Sequence, residues 1–412
     1  AAMSWVLLGL LLPAAPAAAG LHGGEADSCD CSYAKLRPRQ YVAYKTAGLN
    51  PESLDGDLSK PAWAEVPWTD DFVDIATSTV PQFRTRAKLR WDEQHLYVAA
   101  ELEDTHIWGT LKVDDTVIYQ DNDFEVFVDP SGSTHFYKEF EMNALNSRWS
   151  LCLNKPYSDG GYENSTRVLP GSGWSMLPRT RSAVRVYPEA ALNNPSVEGQ
   201  RWSVEVALPL AGLIENNTGA LPTHGSFWRL DFSRVQWNVE VDAATGTFVK
   251  RPSCQSCGKP GSAAEDNWVW SPMRQVNMHA PELWGVVQFS EGAAGGTPIA
   301  DYDRWPCEAA AMAVYYAQKA YAAAHGGFTG DVRKLLPYSS PPFELCQDAE
   351  VAIDLGSAGS SFLATVRLPQ RSPWRATITS DRLLKFFPDQ APSDSTGDVQ
   401  VAVEAVPPKP IE

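Results

Sequence analysis

Between about residues 85 and 290, apolar side chains fall at every second position in short runs, as in strands that bury one face. In "HLYVAAEL" Leu96, Val98, Ala100 and Leu102 share a face, and in "DFEVFVDP" Phe124, Val126 and Val128 do. Trp202, Val204, Val206 and Leu208 repeat the pattern in "RWSVEVALPL", as do Trp228, Leu230 and Phe232 in "FWRLDFSR". With "SRWSLCLN", "SAVRVYP" and "WGVVQFS" there are at least seven such segments, parted by turn clusters such as "DPSGS", "PGSG" and "NNTGALPTHG". Many short strands without intervening helices predict a mainly β protein, an antiparallel β-sandwich over residues 41–290.

After Phe289 the pattern changes. "SEGAAGGTPIAD" reads as the start of a Gly/Ala-rich linker, residues 291–304. The helix formers of "CEAAAMAVYYAQKAYAAAHGG" follow, with Val314, Ala317 and Tyr321 on one face and Gly326 and Gly327 placed to end the helix. A short helix is expected around "GDVRKLL", stopping at Pro337. Alternation then returns through Val351, Ile353 and Leu355; Phe362, Ala364, Val366 and Leu368; and Trp374, Ala376 and Ile378. The expectation is a small α+β C-terminal domain, helix plus antiparallel sheet, over residues 305–400.

The two ends and the composition narrow the setting. "WVLLGLLL" is too short to span a bilayer and leads to small residues in an A-x-A pattern, so residues 1–20 read as a secretory signal peptide, although without a basic n-region. "EAVPPKPIE" holds no hydrophobic tail, which predicts a secreted, soluble product with no membrane insertion. A formal net charge of −16 and the absence of any Lys/Arg run exclude a nucleic-acid backbone as partner. Seven cysteines allow up to three disulfides; "CDC" (Cys29, Cys31) and "CQSC" (Cys254, Cys257) lack paired zinc spacing, and a secreted chain favours oxidation. Asn164 in "NST" and Asn216 in "NNT" are glycosylation sequons and predict surface loops.

Six segments, in order, carry a resemblance: "LDGDLSKPAW", "LRWDEQHLYVAAELEDTHIWGT", "DNDFEVFVDPSGSTHFYKEFEMNALNSRWSLCLNKPYSDGG", "QRWSVEVALPL", "WRLDFSRVQW" and "NWVWSPMRQVNMHAPELWGVVQF". Together they resemble the family 9 carbohydrate-binding modules, within the secreted family-9-like proteins of the DOMON-like sandwich superfamily. The resemblance implies a β-sandwich that binds sugars, with calcium ions as structural supports. It also implies a site in which two tryptophans flank one sugar while a glutamate, an arginine and other polar groups grip its hydroxyls. The glutamate position is Glu125 in "DFEVF"; the first tryptophan position holds Tyr119; the arginine position holds Glu141; and the second tryptophan falls near Met278 and His279. Half of the gripping set therefore departs from the family, and the glycan cannot be carried over from it.

The residues support a sugar site on their own chemistry. A pyranose offers apolar C–H faces and a rim of hydroxyls, so it needs flat aromatics with polar groups around them. Tyr119, Trp108, Tyr157 and Trp174 stand in loop-like text and are expected to be exposed, whereas Trp202 and Trp228 are expected in the core. Asp123 and Glu125 lie on one strand face with Cα atoms about 6.6 Å apart. They read as hydroxyl acceptors, calcium ligands or a glycosidase pair, and strand neighbours that point the same way argue against hydrolysis. Asp121, Asp123 and Asp129 are the calcium candidates. Arg234, His279 and Glu282 form a second polar set, with an ion pair of Arg234 to Glu282 or Glu205 as the structural alternative. Expected ligand contacts are thus Tyr119, Glu125, Glu141, Trp108, Tyr157, Arg234, His279 and Glu282, with no catalytic residue. The alternatives are a b-type haem domain using Met142, Met278 or His279, and an extracellular scaffold that has lost sugar binding.

Overall fold

Each alternating run is a strand in the computed structural model, which describes residues 30–251 and 265–389. One layer places Arg181–Tyr187, Arg201–Pro209, His95–Glu103 and Thr85–Trp91 side by side. The other places Gly285–Ser290, Phe227–Trp237, Asp123–Asp129, Tyr137–Asn143 and Arg148–Leu153 side by side. The faces predicted from alternation meet between the layers: Leu96, Val98, Phe124, Val126, Val128, Trp202, Val204, Trp228, Leu230 and Phe232 share one buried cluster. Each such side chain contributes about 1.5–3 kcal/mol of burial.

Pairing departs from pure antiparallel order at one strand. Gln40–Lys45 runs parallel to both Gly285–Ser290 and Thr85–Trp91 and joins the two layers into one curled sheet. Parallel neighbours need a long connection, and most of the sandwich lies between this first strand and Gly285–Ser290.

The outer face of the second layer is covered in part by the C-terminal unit. The helix Trp305–His325 ends on Gly326 in the left-handed conformation, and Glu350–Leu355, Phe362–Arg367, Trp374–Thr379 and Leu384–Pro388 form a four-stranded antiparallel sheet in chain order. From Trp305 to Tyr315 the helix is buried on all sides, which is why its sequence shows no sharp polar stripe. Val314 and Ala317 are buried while Tyr321 is only partly covered. "GDVRKLL" forms 3₁₀ turns at Val332–Lys334 and Leu336–Tyr338 instead of a helix, since Pro337 lacks the N–H a continuing helix needs. Helix and small sheet share a core with Phe127, Tyr137, Trp149, Leu151 and Val286 of the sandwich. Ahead of the helix, Tyr302 is buried and its hydroxyl donates to Glu308 at 3.0 Å, so the end of the expected linker is packed. Arg229 and Glu308 form a buried ion pair across this junction.

Cys31 and Cys346 form a disulfide tying the start of the sandwich to the C-terminal unit. Cys31 is therefore not a zinc ligand; Cys152 and Cys307 are buried free thiols. The signal segment 1–20, Cys29, Cys254 and Cys257 lie outside the described residues. Among the described residues no helix is long and apolar enough to cross a membrane.

Candidate functional site

The register between Asp123–Asp129 and Tyr137–Asn143 sets Glu125 opposite Glu141 and Phe127 opposite Glu139. Phe124, Val126, Phe140 and Met142 occupy the inter-layer core, so strand alternation sends the three glutamates to the outer face. There they floor a cleft of about 590 Å³, beside the helix-and-sheet unit. Its walls include Tyr119, Trp149, Tyr157, Glu163, Arg167, Asn277 and His279.

The aromatic rim is pinned from behind. The Tyr119 N–H donates to Glu141 Oε2 at 3.1 Å, and Trp237 Nε1 donates to the Tyr119 carbonyl at 2.8 Å. Tyr119 and Tyr157 keep 40% and 43% of their surfaces exposed. Tyr157 meets the His279 ring edge-on at 4.7 Å, and His279 Nδ1 lies 3.0 Å from the Tyr137 hydroxyl. Arg167 stacks over Trp149 at 4.9 Å while its Nε donates to Glu163 Oε1 at 3.2 Å.

The floor is electrostatically unusual. Carboxylate oxygens of Asp123, Glu125 and Glu141 lie within 4.8 Å of one another, all buried. Burial pushes Glu125 up to about 7. Burial, then the charge of Glu125, holds Asp123 and Glu139 well above the usual carboxylate range, and burial, then Glu139, does the same to Glu141. Burial holds His279 down to about 4, so it is neutral at physiological pH. Asp123 Oδ2, Glu139 Oε2 and Trp149 Nε1 are buried without a hydrogen-bond partner among the described residues. Such atoms each cost about 1–3 kcal/mol when unmet.

Of the expected contacts, the cleft brings together Tyr119, Glu125, Glu141, Tyr157 and His279. Three lie elsewhere. Trp108 is buried with Val235 and Trp237, and Trp174 is likewise buried rather than exposed, because apolar neighbours close over these loop residues. Arg234 is fully buried, holding Gln236 at 2.6 Å, Thr85 at 2.9 Å and Asp104 at 3.4 Å, and burial lowers its pKa to about 10. Neither partner expected for it is used, since Glu205 pairs with Lys60 at 2.7 Å. Glu282 is buried at the junction, where Arg382 reaches it at 2.5 Å.

The aspartates do not form one calcium site. Asp121 accepts from the Thr110 and Leu111 N–H groups at 2.8 Å, and Asp129 accepts from Thr134 N at 2.7 Å and Ser131 Oγ at 2.9 Å. These two tie down loops at opposite ends of the strand, about 26 Å apart at full extension, and only Asp123 reaches the carboxylate group. Of the residues of the haem alternative, Met142 points into the inter-layer core, whereas Met278 and His279 both line the cleft. Asn216 sits on an exposed turn with φ of 61°, as a sequon on a loop should, whereas Asn164 is half-buried in the short strand Glu163–Asn164 and accepts from Trp174 N at 2.9 Å.

Sequence reasoning missed Glu139, Trp149, Glu163 and Arg167. Glu139 was within reach: in "YKEFEMN" it shares a face with Glu141 by the same period of two. Glu163 comes from the short strand Glu163–Asn164 and Arg167 from the turn after it, and neither carries a local signal.

Residues 54–168, which include the carboxylate floor, match the family model described as carbohydrate family 9 binding domain-like. No curated protein matches the chain. Among solved structures, the chain is similar to a family 9 carbohydrate-binding module from Caldicellulosiruptor kristjanssonii in complex with cellotriose. The identity is 15% and the TM-score 0.36, over 64% of this chain and 100% of that one. The module from the same organism in complex with glucose gives 14% and 0.35, over 63% and 100%.

Proposed function

We propose that this is a secreted, non-catalytic carbohydrate-binding protein that holds the end or a short stretch of an extracellular or cell-wall glycan in the cleft. The observation that carries the reading is a pair of exposed tyrosines on the rim of a cleft floored by hydrogen-bond acceptors. Tyr119 and Tyr157 offer flat faces to pyranose C–H groups, and Glu125, Glu139, Glu141 and Asn277 offer partners to the hydroxyl rim. The crowding of acids favours neutral over acidic sugars, because a uronate would add one more carboxylate to groups that their neighbours already push toward protonation. The family match supports the ligand class, and the disulfide supports an oxidising compartment.

Asp123, Glu125 and Glu141 gather on one side of the cleft, with oxygens within 4.8 Å of one another, and so do not flank a glycosidic bond from two sides as hydrolysis requires. Titration calorimetry of the full chain against neutral and acidic cell-wall oligosaccharides tests the reading. Binding of a neutral oligosaccharide, weakened about tenfold by Tyr119→Ala and by Tyr157→Ala, is expected, with no reducing sugar released. Absence of binding to every glycan by folded protein would overturn it.

A further inference from the structure

We propose that residues 399–406, "VQVAVEAV", fold back as an added strand on the free edge of the C-terminal sheet and fill the groove between that sheet and the sandwich. Leu384–Pro388 is the last strand of the sheet and pairs on one side only, with Trp374–Thr379. It lines a groove of about 710 Å³ through Leu384, Lys385, Phe386 and Phe387, with Ser133 and Leu221 across from it on the sandwich. Neighbouring bonds fix which of its backbone groups are open. The Leu383 carbonyl accepts from Thr379 N–H at 3.2 Å, and Asp389 N–H donates to the Pro373 carbonyl at 2.7 Å, so the odd-numbered positions face the partner strand. Leu384 N–H turns the other way, to the Ser133 carbonyl at 3.2 Å. Phe386 shares its parity, so its N–H and C=O face the groove, and Pro388, with no N–H to lose, takes the next such position. An edge of this kind is a template for one more strand.

The chain that follows supplies the occupant. The described residues end at Asp389, one position past the strand and beside the groove. Residues 390–398, "QAPSDSTGD", are rich in turn formers and can span up to about 30 Å, ample for the chain to reverse. Val399, Val401 and Val403 then alternate with Gln400, Ala402 and Glu404, the period of a strand with one apolar face. Leu384 and Phe386 belong to the face that is continuous with the core, so the valines extend that face, and Glu404 falls on the side of the exposed Lys385. Leu221 and Phe387, 47% and 38% exposed, are left uncovered by the described residues. A linker this short holds the segment at an effective concentration of the order of mM, which favours the chain's own segment over a second copy.

The test is hydrogen exchange of the full chain, read at the Phe386 amide and across residues 399–406 by mass spectrometry with electron-transfer fragmentation. Both are expected to exchange at least about tenfold more slowly than an unstructured chain of the same sequence, and equally so after dilution of the protein. Val401→Pro removes a ladder N–H and is expected to release Phe386 and residues 399–406 together, while His95–Glu103 keeps its protection and reports that the sandwich is intact. Exchange of residues 399–406 in the wild type at the unstructured rate overturns the proposal without any variant. So does a Val401→Pro chain in which Phe386 or residues 399–406 stay protected. Protection that is lost on dilution assigns the groove to a second copy and overturns it as well. Because no sugar is present, failure here leaves the carbohydrate reading standing.

Discussion

His279 shows how one environment sets the behaviour of one residue. Its ring packs against Tyr157 and Phe127 and meets the Tyr137 hydroxyl, and burial holds its pKa down to about 4 against 6.5 for the free side chain. Between those values the unfolded chain binds a proton that the native state refuses, so this residue's contribution is intact above pH 6.5 and is lost as pH falls toward 4. The loss is at most about 3 kcal/mol. Glu125, pushed up to about 7, acts with the opposite sign: the native state keeps a proton the unfolded chain releases, and stability falls as pH rises from about 4.5 through 7. The wild-type profile therefore mixes the two. Urea midpoints at pH 7.5, 6 and 5, in chelator, are expected to diverge between wild type and His279→Gln, the wild type losing more on acidification. Parallel curves would refute the assignment.

At the scale of elements, the segment "NWVWSPMRQVNMHAPELWG" resolves into parts with separate tasks. Trp268 and Trp270 share the inter-layer core as their spacing implies, Trp284 packs on the outer face, and His279 lines the cleft. Gly285 opens the strand Gly285–Ser290, and a Cβ there would meet the Trp270 ring at 2.3 Å. Glycine is required by that close approach, so Gly285→Ala is expected to cost about 1–3 kcal/mol by overpacking, read as a lower urea midpoint. The strands themselves were legible because half-burial writes a period of two into the sequence. The helix Trp305–His325 was legible as a helix from its composition, but its depth was not, since a helix buried all round has no polar side to orient it.

Across the whole molecule, the sandwich and the C-terminal unit are held by one continuous core and by charges that neither part satisfies alone. Arg382 of the small sheet's last turn reaches the buried Glu282 at 2.5 Å and the half-buried Asp159 at 2.6 Å. Removing one partner of such a set strands the others in low dielectric, so Arg382→Ala is expected to lower stability by about 3–5 kcal/mol by urea denaturation. A change under about 1 kcal/mol would show that the junction is wet. The Cys31–Cys346 bond closes a loop of 315 residues, and reducing it is expected to remove about 2–5 kcal/mol.

The sequence by itself determined the strand faces, the helix and its stop, the aromatic and acidic character of the candidate site, and the family resemblance, because these are written in neighbours one to four positions apart. Which acids gather was decided only by tertiary structure: Glu125 meets Glu141 through strand register, Arg167 joins from a loop, and Glu282 and Arg234 are drawn into buried networks. Local pattern fixes the face on which a side chain lies, but burial and charge depend on what the rest of the chain packs over that face, and those contacts join residues far apart in the chain, 100 positions for Arg382 and Glu282 and 223 for Arg382 and Asp159.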